Sequence, residues 1–184
     1  GPPSLFGAGE YAKDGLLSVT EYLGRTPWFY RMVDMVADAM NRAPVESRFG
    51  WLPAADAELN GDYMQALARI APMTADQRFY EWGRRIASAY MEEVLPGNFG
   101  VPSSKWDFTA HTGDRRLMLR DLGNETIAGV SQQYAIEQSL RTPRADKWRP
   151  AMARMLDRVL ASANPHGMLY SEVDSATLEP LKPE

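Results

Sequence analysis

The stretch of sequence that decides the fold is PWFYRMVDMVADAMN, residues 27–41, where Trp28, Met32, Val36 and Met40 recur at every fourth position. Such a row is one ridge of an α-helix, so the spacing predicts an amphipathic helix that buries this stripe. Two other stretches repeat the pattern, WGRRIASAYMEEV at residues 82–94 and WRPAMARMLDRVL at residues 148–160. Three matching helices indicate an internal repeat, with the tryptophan ridges in the core.

A second helix is predicted upstream of each tryptophan helix. Each upstream stretch opens with a glycine and a polar residue, at positions 9–10, 61–62 and 123–124. Two of the short links contain Thr-Pro, at 26–27 and 142–143, where threonine caps a helix and proline takes its first position. The sequence therefore predicts an all-α fold of repeated helical hairpins, three hairpins in all. The six predicted helices span residues 12–23, 27–41, 61–71, 75–95, 124–140 and 146–163.

Length and composition indicate one domain over residues 1–184, with irregular ends at 1–8 and 171–184. The opening Gly1-Pro2 looks like a protease-cleavage scar, so the native start is expected to be missing. The net charge of −4 without a basic block argues against nucleic acid and anionic membranes as partners. No apolar run approaches the roughly 20 residues that a membrane span needs. The absence of cysteine leaves the compartment open, either cytoplasmic or periplasmic and secreted.

Sequence motifs for cofactors and metals are not found. The chain has no Gly-rich phosphate loop, no His-Glu-x-x-His and no Gly-x-Ser-x-Gly elbow. Of its two histidines, His111 falls in a predicted loop and His166 in a turn, so a histidine metal site is not expected. We therefore predict neither a cofactor nor a bound metal.

Two long loops, residues 44–60 and 96–122, are where chemistry is expected, because long irregular loops in a compact domain are usually functional. Both are rich in carboxylates, and each carries one tryptophan, Trp51 or Trp106. Acids beside an aromatic surface suit a sugar, whose ring stacks on the aromatic while the acids act on the glycosidic oxygen and on water. The alternative is that both tryptophans only anchor their loops.

Two pairs of acids have a spacing that suits such chemistry. Asp121 and Glu125, like Glu58 and Asp62, lie four positions apart at a helix start and would project from one face. The alternative is structural, because acids in a first helical turn are favoured by the helix dipole and cap free N–H groups. The spacing leaves both interpretations open.

The repeated hairpins, small polar inner helices, tryptophan-bearing outer helices and acid-rich loops at one end resemble the six-hairpin (α/α) toroid enzymes. These include glycoside hydrolases, unsaturated-glucuronyl hydrolases and polysaccharide lyases. The segments LRDLGNE at 119–125 and DGLL at 14–17 are particularly similar to bacterial proteins of this type. A full toroid has six hairpins, so the resemblance implies a partial toroid. Such a chain is a fragment, or it is completed by a second copy in a homodimer or by another chain.

The resemblance implies a carbohydrate ligand at the long-loop end, cleaved by carboxylate acid/base chemistry. Asp121 or Glu125 would be the general acid or base, with Glu58 or Asp62 opposite. The residues expected to contact the substrate are Trp51, Asn60, Trp106, Asp107, His111, Arg120 and Asn124.

Other functions remain open at this point. A lyase would use His111 or Tyr63 as the base, with Arg115 or Arg120 neutralising a uronate. A non-catalytic helical-repeat module would bind a peptide or protein along its concave face. A third alternative is a structural fragment without activity of its own.

Overall fold

Helices dominate the computed structural model, which describes residues 2–182. The predicted all-α class is confirmed, since six helices carry the described part of the chain and its strands are short. The first and fourth helices each contain a π-helical turn. The helices are α1 (Leu5–Glu10, π turn Tyr11–Leu16, Leu17–Leu23), α2 (Pro27–Asn41), α3 (Ala57–Thr74), α4 (Gln77–Ala89, π turn Tyr90–Val94, Leu95–Gly97), α5 (Gly123–Ser139) and α6 (Pro143–Ala161).

Two small antiparallel strand pairs lie outside the helices. β1 (Trp106–Asp107) pairs with β2 (Thr112–Gly113), and both belong to the long loop between α4 and α5. β3 (Arg116–Met118) pairs with β4 (Glu172–Asp174), which ties this loop to the C-terminal segment. The tail predicted as irregular from residue 171 therefore contains a strand.

Capping side chains place two helix starts upstream of their predicted positions. α1 begins at Leu5 rather than at residue 12, because the Ser4 hydroxyl accepts the N–H of Gly7 at 3.0 Å. α3 begins at Ala57, because the Asp56 carboxylate accepts the N–H of Leu59 at 2.9 Å. Of the predicted irregular start, residues 2–4 lie outside the helix. Gly1, which belongs to the predicted cleavage scar, and residues 183–184 lie outside the described residues.

The tryptophan ridges are buried only in part, which corrects the predicted core. Trp82 and Trp148 are buried, but Trp28 is 57% exposed, and Leu156 and Leu160 of the third ridge are also exposed. An α-helix has 3.6 residues per turn, so each four-residue step moves the ridge about 40° further around the helix. The buried rows follow the true helical period, as Phe29, Met32, Val36 and Met40 on α2 and Trp148, Met152, Met155 and Val159 on α6.

The ridge of α4 stays buried along its whole length. A π turn contains more residues than an α turn, so a four-residue step there does not rotate the ridge beyond a full turn. Trp82 and Ile86 lie in the α-helical part, and Tyr90 and Val94 lie in the π turn, yet all four are in the core.

The central helix is α3, which packs against α1, α4 and α5. Its closest neighbour is α5, because two glycines let the backbones approach. A β-carbon on Gly61 would lie 2.4 Å from the carbonyl carbon of Glu125, and one on Gly129 would lie 2.8 Å from the Gly61 oxygen. The Thr126 hydroxyl donates to the Ala57 carbonyl at 2.6 Å across the same contact. This contact places the first turns of α3 and α5 side by side.

α3 also packs against α1, again through a glycine. A β-carbon on Gly9 would lie 2.9 Å from the Tyr63 ring, whose hydroxyl donates to the Leu5 carbonyl at 2.7 Å. The π turn of α1 is therefore held close to the first turns of α3 and α5. Within residues 2–182, no helix combines the length and apolar character that crossing a bilayer requires.

Candidate functional site

A cluster of charged side chains lies where α1, α3 and α5 meet. Lys13 Nζ lies 2.9 Å from Asp62 Oδ1 and 2.6 Å from Glu125 Oε2, so one ammonium group bridges two helices. Gln65 Nε2 donates to the same Glu125 oxygen at 2.6 Å. We call Glu58, Asp62 and Glu125, together with Lys13, the carboxylate cluster. Each helix contributes at least one member, so the cluster forms only when the three helices pack.

The π turn of α1 supplies the lysine. Such a turn widens the helix and interrupts the regular pattern of backbone hydrogen bonds. The Lys13 carbonyl accepts a hydrogen bond from Arg69 Nη1 of α3 at 2.9 Å, while Arg69 Nε pairs with Glu21 at 2.7 Å. The widened turn is therefore fixed against α3 by Arg69, with the Lys13 side chain directed to the acids.

Asp62 is the most deeply placed member of the cluster, with 1% of its surface exposed. Burial raises its pKa to about 6, although the ion pair with Lys13 acts in the opposite direction. Burial lowers the pKa of Lys13, but its contacts with Glu125 and Asp62 raise it by more, so the lysine pKa lies above its usual value. Lys13 therefore stays charged, whereas Asp62 titrates in the mildly acidic range.

Glu58 lies in the first turn of α3 and is partly exposed. Its pKa is raised, first by burial and then by the charges of Asp56, Asp121, Glu10 and Glu125. Glu58 and Asp62 are one helical turn apart, as predicted, and Asp62 is the buried member of the pair. The cluster thus contains two acids that hold their protons more strongly than usual.

The raised pKa of Asp62 gives a testable pH dependence. The folded protein holds the Asp62 proton more tightly than the unfolded chain does. The contribution of this proton to the free energy of unfolding is therefore complete below the ordinary pKa of 3.8, and it is lost as pH rises through about 6. Relative to Asp62→Asn, the wild type should lose about 3 kcal/mol of unfolding free energy across that range. Urea unfolding as a function of pH measures it. Parallel profiles for the two proteins would contradict the assignment, and Asp157→Asn, an exposed acid on α6, is the control.

Asp121 and its neighbours are placed differently from the prediction. α5 begins at Gly123, so Asp121 precedes the helix and does not share a helical face with Glu125. It is exposed and pairs with Arg120, with 3.2 Å between Nε and Oδ2. Asn124 is also exposed, and its Nδ2 makes a long contact of 3.4 Å with Glu125 Oε1. These three residues lie at the rim of the cluster.

Asn60 is fully buried and supports the fold beside the cluster. Its amide nitrogen donates to the carbonyls of Ala54 and Asp56 and to the Tyr90 hydroxyl, at 2.9, 3.0 and 3.2 Å. The amide therefore ties the end of the first long loop to α3 and α4, and it does not face solvent.

A second polar group surrounds Glu93 in the π turn of α4. Its buried carboxylate accepts a hydrogen bond from Trp106 Nε1 at 3.0 Å, lies 3.0 Å from His111 Nδ1, and pairs with Arg48 Nε at 3.0 Å. Burial raises the pKa of Glu93, but the contacts with His111, Trp106 and Arg48 lower it by more. Trp106 is only 2% exposed, so it anchors the second long loop to α4.

The remaining predicted residues lie in other places. The carboxylate of Asp107 closes a turn by accepting the N–H groups of Thr109 and Ala110 at 2.8 and 2.9 Å. His111 is exposed apart from its contact with Glu93. Trp51 is 50% exposed and lines a separate cavity with Trp82 and Arg85. Of the predicted acids, Asp62 and Glu125 therefore contact the same lysine and Glu58 lies one helical turn before Asp62, whereas the predicted aromatic and histidine residues lie elsewhere.

Three residues that the sequence reasoning missed are Lys13, Gln65 and Glu93. Lys13 adjoins the DGLL segment at 14–17, and this proximity was the one signal that pointed to it. Gln65 follows Glu58 and Asp62 along the same helical stripe, which could have been found by extending that stripe by one turn. Within residues 2–182, no group of three or more metal-ligating side chains is arranged to hold a metal ion.

Comparison with known proteins adds no identification. No model of a known protein family matches the sequence, and no curated protein matches it at a significant level.

Proposed function

We propose that this chain is a carbohydrate-active protein, similar to glycoside hydrolases, and that the carboxylate cluster is its acid/base site. Hydrolysis of a glycosidic bond needs one carboxyl group that is protonated and another that is ionised. The observation that carries the proposal is the contrast between Glu58, whose pKa is raised, and Glu125, which pairs with the lysine. Glu58 is the proton donor and Glu125 is the base.

Asp62 acts through Lys13 in this mechanism. Its burial keeps it from a substrate, but its contact at 2.9 Å helps to fix the ammonium group that also holds Glu125. Gln65 donates to the same Glu125 oxygen and leaves the other, Oε1, with a single long contact. Glu125 Oε1 is therefore the oxygen that takes a proton from an attacking water or attacks the sugar itself.

We further propose that the fold is a partial (α/α) toroid, with α1, α3 and α5 as its inner helices. Two observations support this arrangement. α3 packs against both α1 and α5, and each of these three helices contacts the helix that follows it. The partly exposed face of α3 carries Glu58, Gln65 and Arg69, a polar stripe at helical spacing. Such a stripe suits the inner surface of a ring.

The test of the proposed activity is a panel of neutral and uronate-containing polysaccharides incubated with the purified protein. We expect new reducing ends without formation of an unsaturated product, because the cluster offers carboxylate acid/base chemistry. Unsaturated product would instead indicate a lyase. No cleavage of any glycan by the protein in its assembled state would refute the hydrolase function.

A non-catalytic binding module is the second candidate. The observation that favours it is that one lysine pairs with both Asp62 and Glu125. A structural role in holding the three helices together is enough to explain such a network. Glycan binding without turnover, retained when Glu58 or Glu125 is neutralised, would support this function over the hydrolase.

The partner that we propose is a second chain, because α1 exposes several large apolar residues. Tyr11, Val19, Tyr22 and Leu23 are all exposed there, and soluble proteins rarely leave such patches uncovered. We expect a two-fold dimer at tens of micromolar.

Light scattering coupled to size exclusion measures the predicted assembly. Tyr22→Lys should shift the dimer towards monomer, whereas Tyr30→Lys, an exposed tyrosine on α2, should not. A wild-type protein that is monomeric at these concentrations would contradict the assembly.

A further inference from the structure

A polar cavity of about 400 Å³ lies between the end of α2 and the middle of α4, away from the carboxylate cluster. Among the described residues, two arginines and no carboxylate line it, and one of the two, Arg42, is ion-paired with Asp38 outside the cavity. Its lining residues are Met40, Asn41, Arg42, Ala43, Trp51, Trp82 and Arg85.

Arg85 is the key residue of this cavity. Among the described residues, Arg85 forms no ion pair within 4.0 Å, and its Nη1 donates a long hydrogen bond of 3.3 Å to the Trp51 carbonyl. The side chain is only partly exposed, so its charge is held near the surface. An ordered guanidinium with unused donors is suited to an anionic ligand.

The turn before Trp51 is built around this arginine. Gly50 has φ +113°, and a β-carbon there would lie 3.0 Å from Arg85 Nε, so only glycine lets the guanidinium cross the turn closely. Ser47 closes the turn, since its hydroxyl donates to the Gly50 carbonyl at 2.6 Å. The position of Arg85 is therefore fixed by the fold.

Arg42 supplies the second positive charge from the C-terminal end of α2. Its Nε donates to Asp38 at 2.9 Å and its Nη2 donates to the Pro3 carbonyl at 3.1 Å. These contacts orient the guanidinium, and within residues 2–182 its Nη1 donates no hydrogen bond. Asn41 adds an amide that can bond to a hydroxyl group.

Trp51 gives the cavity an apolar surface, because half of its side chain is exposed. An exposed indole beside cations suits a ligand that has both a negative group and an apolar face. A phosphate ion has no such face. A uronate sugar has both, since its C–H face stacks on an aromatic ring while its planar carboxylate matches a guanidinium fork.

We propose that the Trp51–Arg85 cavity binds a carboxylated sugar, a uronate residue of an acidic glycan. Arg85 and Arg42 hold the carboxylate, Trp51 stacks on the ring, and Asn41 meets a hydroxyl. This site lies apart from the acid/base residues, so its occupation does not depend on catalysis at the carboxylate cluster. It gives the protein a means of holding an acidic chain by its outer surface.

Calorimetric titration tests the site with three probes, a galacturonate trisaccharide, a neutral glucose trisaccharide and inorganic phosphate. We expect the galacturonate to bind at least tenfold more tightly than either of the other probes. Its affinity should fall as the salt concentration is raised. Arg85→Gln and Trp51→Ala should each reduce its affinity roughly tenfold or more, since each removes a principal contact.

A matched pair elsewhere on the surface provides the control. Arg31 lies 5.1 Å from the centre of the exposed Trp28 ring. This pair also combines an arginine with an exposed tryptophan, but it does not line the Trp51–Arg85 cavity. Arg31→Gln and Trp28→Ala should leave binding unchanged. No binding of galacturonate, equal binding of the neutral sugar or phosphate, or full affinity in Arg85→Gln would each overturn the proposal.

Discussion

Gly61→Ala is expected to cost about 3 kcal/mol of unfolding free energy, the largest stability effect of a single methyl group that the fold suggests. The added β-carbon would lie 2.4 Å from the Glu125 carbonyl carbon and 2.5 Å from the Thr126 nitrogen. Both are backbone atoms, so no side chain can rotate to relieve the collision, and α5 must move away from α3. Urea denaturation of the variant and the wild type measures the difference.

The control for this variant is Gly15→Ala in the π turn of α1. A β-carbon there would meet no atom within 4 Å. The substitution should be neutral or should stabilise the protein by up to about 1 kcal/mol, since alanine favours helix more than glycine does. If Gly61→Ala unfolds at the same denaturant concentration as Gly15→Ala, the close approach of α3 and α5 does not exist.

The consequence of that approach reaches the carboxylate cluster. Glu125 and Thr126 are the residues of α5 that lie against Gly61, and Glu125 pairs with Lys13. Any separation of the two helices therefore pulls Glu125 away from the lysine. We expect Gly61→Ala to weaken glycan cleavage even under conditions where the variant remains folded.

Local patterns in the sequence predicted the helices well, because apolar spacing reports one helix at a time. The i, i+4 ridge placed α2, α4 and α6 correctly. It wrongly assigned Trp28 and Leu160 to the core, because a four-residue step drifts around an α-helix. The neighbour Phe29 is the buried residue instead. The ridge of α4 is buried along its whole length because of the π turn at Tyr90–Val94, which the apolar spacing does not predict.

The candidate site was predictable in part, and the missing part depends on contacts between distant segments. Glu58 and Asp62 share one helix, so their spacing alone placed them together. Lys13 meets Glu125 across 112 positions of sequence, and that contact exists only through the packing of α1, α3 and α5. Trp106 was expected to contact the substrate, but its indole N–H donates to the buried Glu93 instead. Loop composition does not distinguish such an anchor from an exposed platform.

Replacement of the two proposed acid/base residues should produce the largest change in activity. Glu58→Gln and Glu125→Gln preserve the shape of each side chain but remove proton transfer at that position. Each should lower the rate of glycan cleavage roughly 10²–10⁴-fold, the usual contribution of a general acid or base. Because Glu58 acts in its protonated form, activity of the wild type should fall as pH rises above the raised pKa of this group. Glu58→Gln should lose that alkaline limb.

A stability measurement separates this role from helix capping. A first-turn acid that only favours the helix would cost up to about 1 kcal/mol when neutralised, and it would leave the cleavage rate unchanged. Asp157→Asn removes an exposed carboxylate from α6, so it should alter neither the rate nor the pH profile. If both glutamine variants cleave glycan at the wild-type rate while melting at lower temperature, Glu58 and Glu125 serve only to hold the helices. The raised pKa of Glu58 would then reflect only its burial and the charges of the neighbouring carboxylates.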